Sequence, residues 1–303
     1  MPDAADPFLA FSDRLADIVA GAAPSVVSVH GRGRPPSSGF VWRPGEVVAA
    51  DEALEGDDDL SVALADGRRA GAVLIGRDPA TDVALLRVEG LDAPALPLDA
   101  SAEPRAGQIA LAIGRREGET AAHVGTVQVS GGPWRSRRGG RIDRLLRLDL
   151  RLDGRSEGGP VLDARGRAIG MAVRGPRGTV LAIPAETIER AADRLARGVR
   201  SARGYLGLGL QPVRLDEEPA RSLDLPERRG LIVVDVDPDG PGRRAGVLQG
   251  DVVARWDGEA VEGVRDVSAR LDPETVGRTV HLTVIRAGQA TTLALTVGER
   301  PGA

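Results

Sequence analysis

The stretch LDLRLDGRSEGGPVLDARGRAIGMAV, residues 148–173, sets short apolar runs against two polar, glycine-bearing turns, GRSEGG and DARGR. Runs of this length bounded by Gly and Asp read as strands. Pro160 to Leu162 and Ala168 to Val173 are two of them, and Leu145 to Leu150 precedes them. Working outward, Ile109 to Ile113, His123 to Val129 and Val180 to Ile183 complete a set of six. A Pro-rich connector, Leu91 to Arg105, separates this set from an earlier one: Val26 to His30, Gly39 to Trp42, Val47 to Ala50, Leu60 to Leu64, Ala72 to Ile75 and Val83 to Val88. Two equal sets of short strands predict two packed β-barrels.

Composition supports a mainly β protein of about two domains. The chain has 303 residues and is 42% apolar, with only 2% aromatic residues, 40 Gly and 21 Pro. Such a core is built from Val, Leu and Ala on short strands joined by tight turns. There is no cysteine, which removes disulfides, thiolate metal sites and a cysteine nucleophile. Every basic residue is Arg, so Ser-Lys and Schiff-base mechanisms are excluded too. A net charge of −4 gives no global attraction to nucleic acid. The N-terminus has acids before its apolar stretch and no basic n-region, so as written the reading is cytoplasmic, with no membrane partner.

Helical spacing appears at two places in the first two-thirds of the chain. Phe8, Leu9, Phe11, Leu15, Ile18 and Val19 mark an amphipathic helix closed by Pro24, and AETIERAADRLARGV (Ala185 to Val199) places Ile188, Ala192 and Leu195 on one face. Gly204 then opens a compositionally distinct block. The expected organisation is residues 1–24 as a helix, 25–199 as the double-barrel domain with its linker helix, and 204–300 as a second domain.

Three segments resemble the HtrA/Deg branch of trypsin-like serine proteases. SSGFVWRPGEVVAADEALEGDDDLSVALADGR (37–68) is similar to the family's GSGFV strand and its histidine-bearing turn, IGRDPATDVALLRV (75–88) to its aspartate segment, and residues 148–173 to its nucleophile loop. The resemblance implies a trypsin-like double six-stranded β-barrel. It also puts the histidine slot on Glu52, the aspartate slot on Asp82, the nucleophile slot on Glu157 and the oxyanion-hole glycine on Arg155. Serine-protease chemistry needs a hydroxyl deprotonated by an imidazole that an aspartate orients. Glu52 is a weaker base than imidazole, and a carboxylate at 157 sets negative charge where the oxyanion forms. The expectation is a degenerate protease.

Two other readings of this half are open. His30, Asp82 and Ser156 keep the family's order and could make a shifted triad, although neighbouring residues in an extended turn point oppositely, which disfavours Ser156. The three carboxylates Glu52, Asp82 and Glu157, with Asp51, could instead recruit Ca²⁺ or Mg²⁺. The plainer reading is that the two glutamates face solvent and that no metal or cofactor binds. His30, His123 and His281 read as ordinary strand residues. The acidic run Glu55 to Asp59 and the basic run Trp134 to Arg147 read as solvated loops.

From Gly204 onward, RGYLGLGLQPV and the GLIVVDVDPDGPGRRAGVLQGDVV block (Gly230 to Val253) resemble the α/β PDZ domain that follows the protease in this family. The resemblance implies a loop at Tyr205, Leu206, Gly207 and Leu208 that receives a peptide's terminal carboxylate. The peptide then adds as a strand along Leu208 to Leu210, with Val267 and Leu271 lining the groove from a helix at Val264 to Leu271. Expected partners are peptides or protein C-termini, a homo-trimer held by Phe8 and Phe11, and an active paralogue of the same family.

Overall fold

The computed structural model describes residues 6–299 except 34, 55, 57, 58, 117, 137, 199–203, 216, 218–220, 222–227 and 272–274. The chain divides into two compact units, Met1–Ser201 and Ala202–Ala303. The expected domain boundary near residues 200–204 falls largely outside the described residues, as do Glu55, Asp57 and Asp58 of the acidic run and Arg137 of the basic one.

The first unit opens with α1 (Pro7–Ala22). Asp6 caps it by accepting from the Phe8 N–H at 2.9 Å, and Pro7 occupies the first turn, where a missing N–H costs nothing. Its C-terminal half turns Ile18 and Ala22 into the core, while Phe8 and Phe11 are 84% and 49% exposed. There follow β1 (Val26–His30), β2 (Ser37–Arg43), β3 (Glu46–Ala49), β4 (Ser61–Ala63), β5 (Arg69–Asp78) and β6 (Val83–Val88), closed as a barrel in the order β1-β2-β3-β6-β5-β4.

The second barrel takes β7 (Ile109–Arg116), β8 (Glu119–Gly131), β11 (Leu145–Asp149), β12 (Pro160–Asp163), β13 (Ala168–Arg174) and β14 (Val180–Pro184), in the order β11-β14-β13-β12-β7-β8. Both barrels are thus as the strand rhythm predicts. One correction concerns the basic run, which is not a plain loop: Trp134–Arg135 and Arg141–Ile142 pair as a small hairpin, β9 and β10.

Each barrel is filled by its own Val, Leu and Ala side chains. A third cluster, including Phe40 and Trp42 from one barrel and Leu111, Ile113 and Met171 from the other, seals them together with α2 (Ala185–Ala196). Gly76 on β5 lets Leu195 of α2 approach: a Cβ there would lie 2.9 Å from Leu195 Cδ2. Arg115 crosses this seam fully buried, donating through Nε to the Val26 carbonyl at 2.5 Å and through Nη1 to the Gly118 carbonyl at 2.9 Å.

The second unit is a sheet ordered β16-β17-β18-β20-β21, formed by Leu208–Arg214, Arg229–Val236, Val252–Trp256, Thr279–Arg286 and Gln289–Thr296. β19 (Glu259–Ala260) pairs with β18, and β15 (Gly204–Tyr205) pairs with β22 (Gly298–Glu299). Its short helices include α3 (Pro241–Arg244) and α4 (Val264–Arg270). Leu271 lies just past the end of α4 rather than inside it.

Candidate functional site: a carboxylate-lined cleft and a peptide groove

The cleft is assembled from both barrels. Glu52 sits in a 3-10 turn (Asp51–Ala53) directly after β3, and Asp82 sits in the turn that leads into β6 with φ +59°, a left-handed conformation that Asp tolerates better than most residues. The Glu52 N–H donates to Asp82 Oδ1 at 2.7 Å, and the Asp51 N–H donates to the Asp82 carbonyl at 3.3 Å. From the other barrel, the loop 154–158 is locked to Ser38 of β2. The Ser38 N–H donates to the Glu157 carbonyl at 2.8 Å, and the Ser38 hydroxyl donates to the Arg155 carbonyl at 2.6 Å. Gly158 (φ +85°) is required here, because a Cβ would stand 2.3 Å from the Ser38 carbonyl oxygen.

Four acids face this cleft, and each is differently held. Burial pushes the Asp82 carboxyl up to about 7; the Glu52 N–H opposes that rise, and Glu52, Asp51 and Glu157 add to it. Burial also raises Asp51, although Arg77 donates to it at 2.8 Å. Glu52, about half exposed, pairs with Arg138 of the β9–β10 hairpin at 3.3 Å. Glu157 accepts from the Arg174 N–H at 3.0 Å, with the Arg174 Nε 3.8 Å away. The three carboxylates of the cation-site reading, Glu52, Asp82 and Glu157, all have such partners. Each carboxylate is turned to an N–H or a guanidinium, and among the described residues no group of three acidic or imidazole side chains is placed to hold a metal ion. Of the two glutamates expected to face solvent, Glu52 is exposed whereas Glu157 is largely buried.

Beside the acids lies a cavity of about 280 Å³ with an apolar wall of Trp134, Val173, Leu181 and Ile183. Arg138 and Arg174 line the same cavity. Neither arginine is singled out by sequence reasoning, since a basic run carries no sign of which guanidinium will turn inward.

Ser156 is also not where a shifted triad would need it. It is fully buried, and its hydroxyl lies 2.9 Å from His123 Nε2, so the ring it meets is on β8 rather than His30 on β1. The Ser156 N–H donates to Asp153 Oδ1 at 2.8 Å. Burial would raise Asp153, but hydrogen bonds from the Ser156 hydroxyl and N–H outweigh it and hold the carboxyl below its usual range. With no exposed surface, this hydroxyl is closed to a peptide substrate whichever way its bond to the imidazole runs. His123, read from the sequence as a bland strand residue, is thus a structural partner of the loop. Arg155, which the resemblance sets at the oxyanion-hole glycine, is exposed.

In the second unit, Gly207 (φ +68°) forms the loop between β15 and β16, and a Cβ there would fall 2.9 Å from the Gly240 Cα. The loop is pinned through its carbonyls: Leu206 accepts from the Gly242 N–H at 2.7 Å and Gly207 from the Asp237 N–H at 2.9 Å. The Tyr205 hydroxyl donates to Asp237 Oδ2 at 2.8 Å. β16 forms one edge of the sheet. Leu208, Leu210 and Leu271 are half-buried beside this edge, whereas Val267, at 4% exposure, belongs to the core, so it supports the groove from below rather than lining it openly.

The trypsin-like peptidase domain family matches residues 37–171, and the PDZ domain family matches residues 204–297. A solved structure described as HtrA-type protease AlgW with tripeptide is 30% identical, with a TM-score of 0.71 over 95% of this chain and 98% of that one. The chain belongs to the HtrA family. A second structure, HtrA-type protease AlgW with decapeptide, has a TM-score of 0.73 at 26% identity, covering 95% of this chain and 99% of that one. Among curated proteins, this HtrA-family chain is 32% identical over 271 residues to a probable periplasmic serine endoprotease DegP-like from Halomonas elongata, and 31% identical over 283 residues to the one from Rhizobium meliloti. Those alignments cover 87% and 90% of this chain but 56% and 55% of the relatives, so it spans about half of their length. No helix among the described residues is long and apolar enough to cross a membrane.

Proposed function

We propose that this chain is an HtrA-like pseudoprotease that binds peptides or protein C-termini through its PDZ unit, without serine-protease catalysis. The observation that carries the reading is the pair of carboxylates at the imidazole and hydroxyl positions, Glu52 and Glu157, each engaged by an arginine. Neither group can form an alkoxide, and both oppose the negative charge of an acyl-transfer transition state. The exposed Arg155 at the oxyanion-hole position supports the same conclusion.

A competing reading is an active endopeptidase, favoured by the names of the relatives and by the Ser156–His123 contact. Full burial of Ser156 weighs against it, because the hydroxyl has no exposed surface to offer a substrate. A fluorophosphonate probe separates the two. Equal background labelling of the wild type and Ser156→Ala is expected, and labelling abolished by that substitution would establish the enzyme instead.

Binding is carried by the edge strand β16 and the Gly207 loop, which together suit strand addition by a peptide whose carboxylate meets backbone N–H groups. We further propose self-association through Phe8 and Phe11, which stand exposed on the first turns of α1. An active paralogue of the same family is the protein partner most consistent with a binding-only member.

A further inference from the structure

We infer that the groove selects peptides carrying a long basic side chain on the outward face of the added strand, read by Asp235 across Gly209. The inference rests on the proposed peptide-binding reading and adds the chemistry of the ligand. Leu208 and Leu210 on β16 turn toward the core of the unit, so Gly209 between them faces the opposite side of the sheet. Gly209 pairs directly with Asp235 of β17. A Cβ at Gly209 would lie 2.9 Å from the Asp235 Cβ and 3.4 Å from Val234 Cγ2, so both side chains crowd the space the glycine leaves empty.

The register explains the crowding. Gly209 pairs with Asp235 and Leu210 with Val233, so Val234 is the extra residue of a bulge and is 36% exposed. The outer face of the edge strand therefore has a notch with a carboxylate and the methyl groups of Val234 as its walls. A strand added to β16 would run about 4.8 Å beyond it, and about twice that from β17. A short side chain cannot cover that span. The stem of Arg or Lys can pass over Gly209, lie against Val234 and bring its cation to Asp235. Pro212, which has no N–H to offer, confines pairing to the part of β16 nearest the Gly207 loop, where the notch lies. If the last side chain of the ligand points inward, the outward ones are those one and three residues before the terminus.

Fluorescence anisotropy with the full chain tests this, using two labelled heptapeptides ending in Val that carry either Arg or Glu at both outward positions. The Arg peptide should bind about fivefold more tightly at low salt, as expected for a partly exposed ion pair, and the difference should shrink at high salt. Asp235→Ala should equalise the two peptides, and Asp235→Arg should reverse their order. Equal affinity of both peptides for the wild type, or an order unchanged in Asp235→Arg, would overturn the inference while leaving peptide binding intact. Failure of both peptides to bind would overturn the groove reading and this one with it.

Discussion

The backbone N–H of Glu52 donates to Asp82 Oδ1 at 2.7 Å, so the aspartate is held by its neighbour's main chain whatever side chain stands at 52. Its environment is unusual for a carboxylate: burial, with Glu52, Asp51 and Glu157 facing the same cleft, pushes it up to about 7. Between the ordinary carboxylate range, about 4, and that value, the folded state binds a proton that the unfolded chain releases. Stability from this group is therefore full at acid pH and declines as pH rises toward 7. Asp82→Asn should match the wild type near pH 4 to 5 and exceed it near pH 8 by on the order of 1–3 kcal/mol. Urea unfolding at both pH values checks this, and parallel pH profiles for the two proteins would refute it.

Ser156→Ala is expected to cost about 1–3 kcal/mol, because it leaves the part-buried His123 ring nitrogen without the hydroxyl it meets at 2.9 Å. Thermal unfolding measures it. A neutral substitution would mean that His123 finds water instead. Gly114→Ala should be worse still, since its Cβ would stand 2.3 Å from the Ser156 hydroxyl oxygen.

Much of the fold was legible because its signals are local. Strand periodicity and Gly punctuation located both sets of six strands, and the helix from Ala185 showed its buried face in Ile188, Ala192 and Leu195. What escaped is what depends on chain segments meeting across the cleft. Nothing in SRRGGR announces that Arg138 will reach Glu52, or that the Ser136 hydroxyl will donate to the Ala80 carbonyl at 2.6 Å. His123 lies 33 residues from Ser156, and only the closure of the second barrel brings them together. The depth of Val267 was illegible for a different reason: helical spacing gives a face, but not how deeply that face sinks.

In the PDZ unit, Asp251 is 2% exposed and takes two bonds from Arg286, Nε at 2.8 Å and Nη2 at 2.7 Å, plus the Leu248 N–H at 2.9 Å. Burial would raise its pKa, but Arg286 and the Leu248 N–H outweigh it and hold the carboxyl below the usual range. Its stabilising effect is present above the ordinary carboxylate range and is lost as pH falls through the depressed value. Asp251→Ala should destabilise this unit by about 1–3 kcal/mol, since it removes the partner of the part-buried Leu248 N–H, while Arg286, a third exposed, keeps its bond to the Gly246 carbonyl. Calorimetry reads the change, and a loss under about 1 kcal/mol would mark the pair as no better than a surface one.

Self-association is tested without disturbing the core by Phe8→Ser with Phe11→Ser, because α1 packs through Ile18 and Ala22 instead. Light scattering should show the assembly reduced to monomers while circular dichroism is unchanged. A mass identical to the wild type would rule these residues out as the contact.

Gly207→Ala combines a left-handed backbone with a Cβ 2.9 Å from the Gly240 Cα. It should abolish capture of any C-terminal peptide while leaving the unit folded, as anisotropy and circular dichroism together would show. Retained binding would place recognition elsewhere than this loop.

The Ser38 contacts have an evolutionary implication. Ser38 makes three hydrogen bonds across to the other barrel, donating to the carbonyls of Arg155 and Glu157 and accepting from the Arg115 N–H at 2.9 Å; all three end on main chain, so the posture of that turn is indifferent to the side chains it displays. On the proposed reading, residues 52 and 157 could thus change with no penalty in architecture. On that same reading the route back is short: an imidazole, a hydroxyl and a glycine installed at 52, 157 and 155 would arrive in a frame whose main chain is already set.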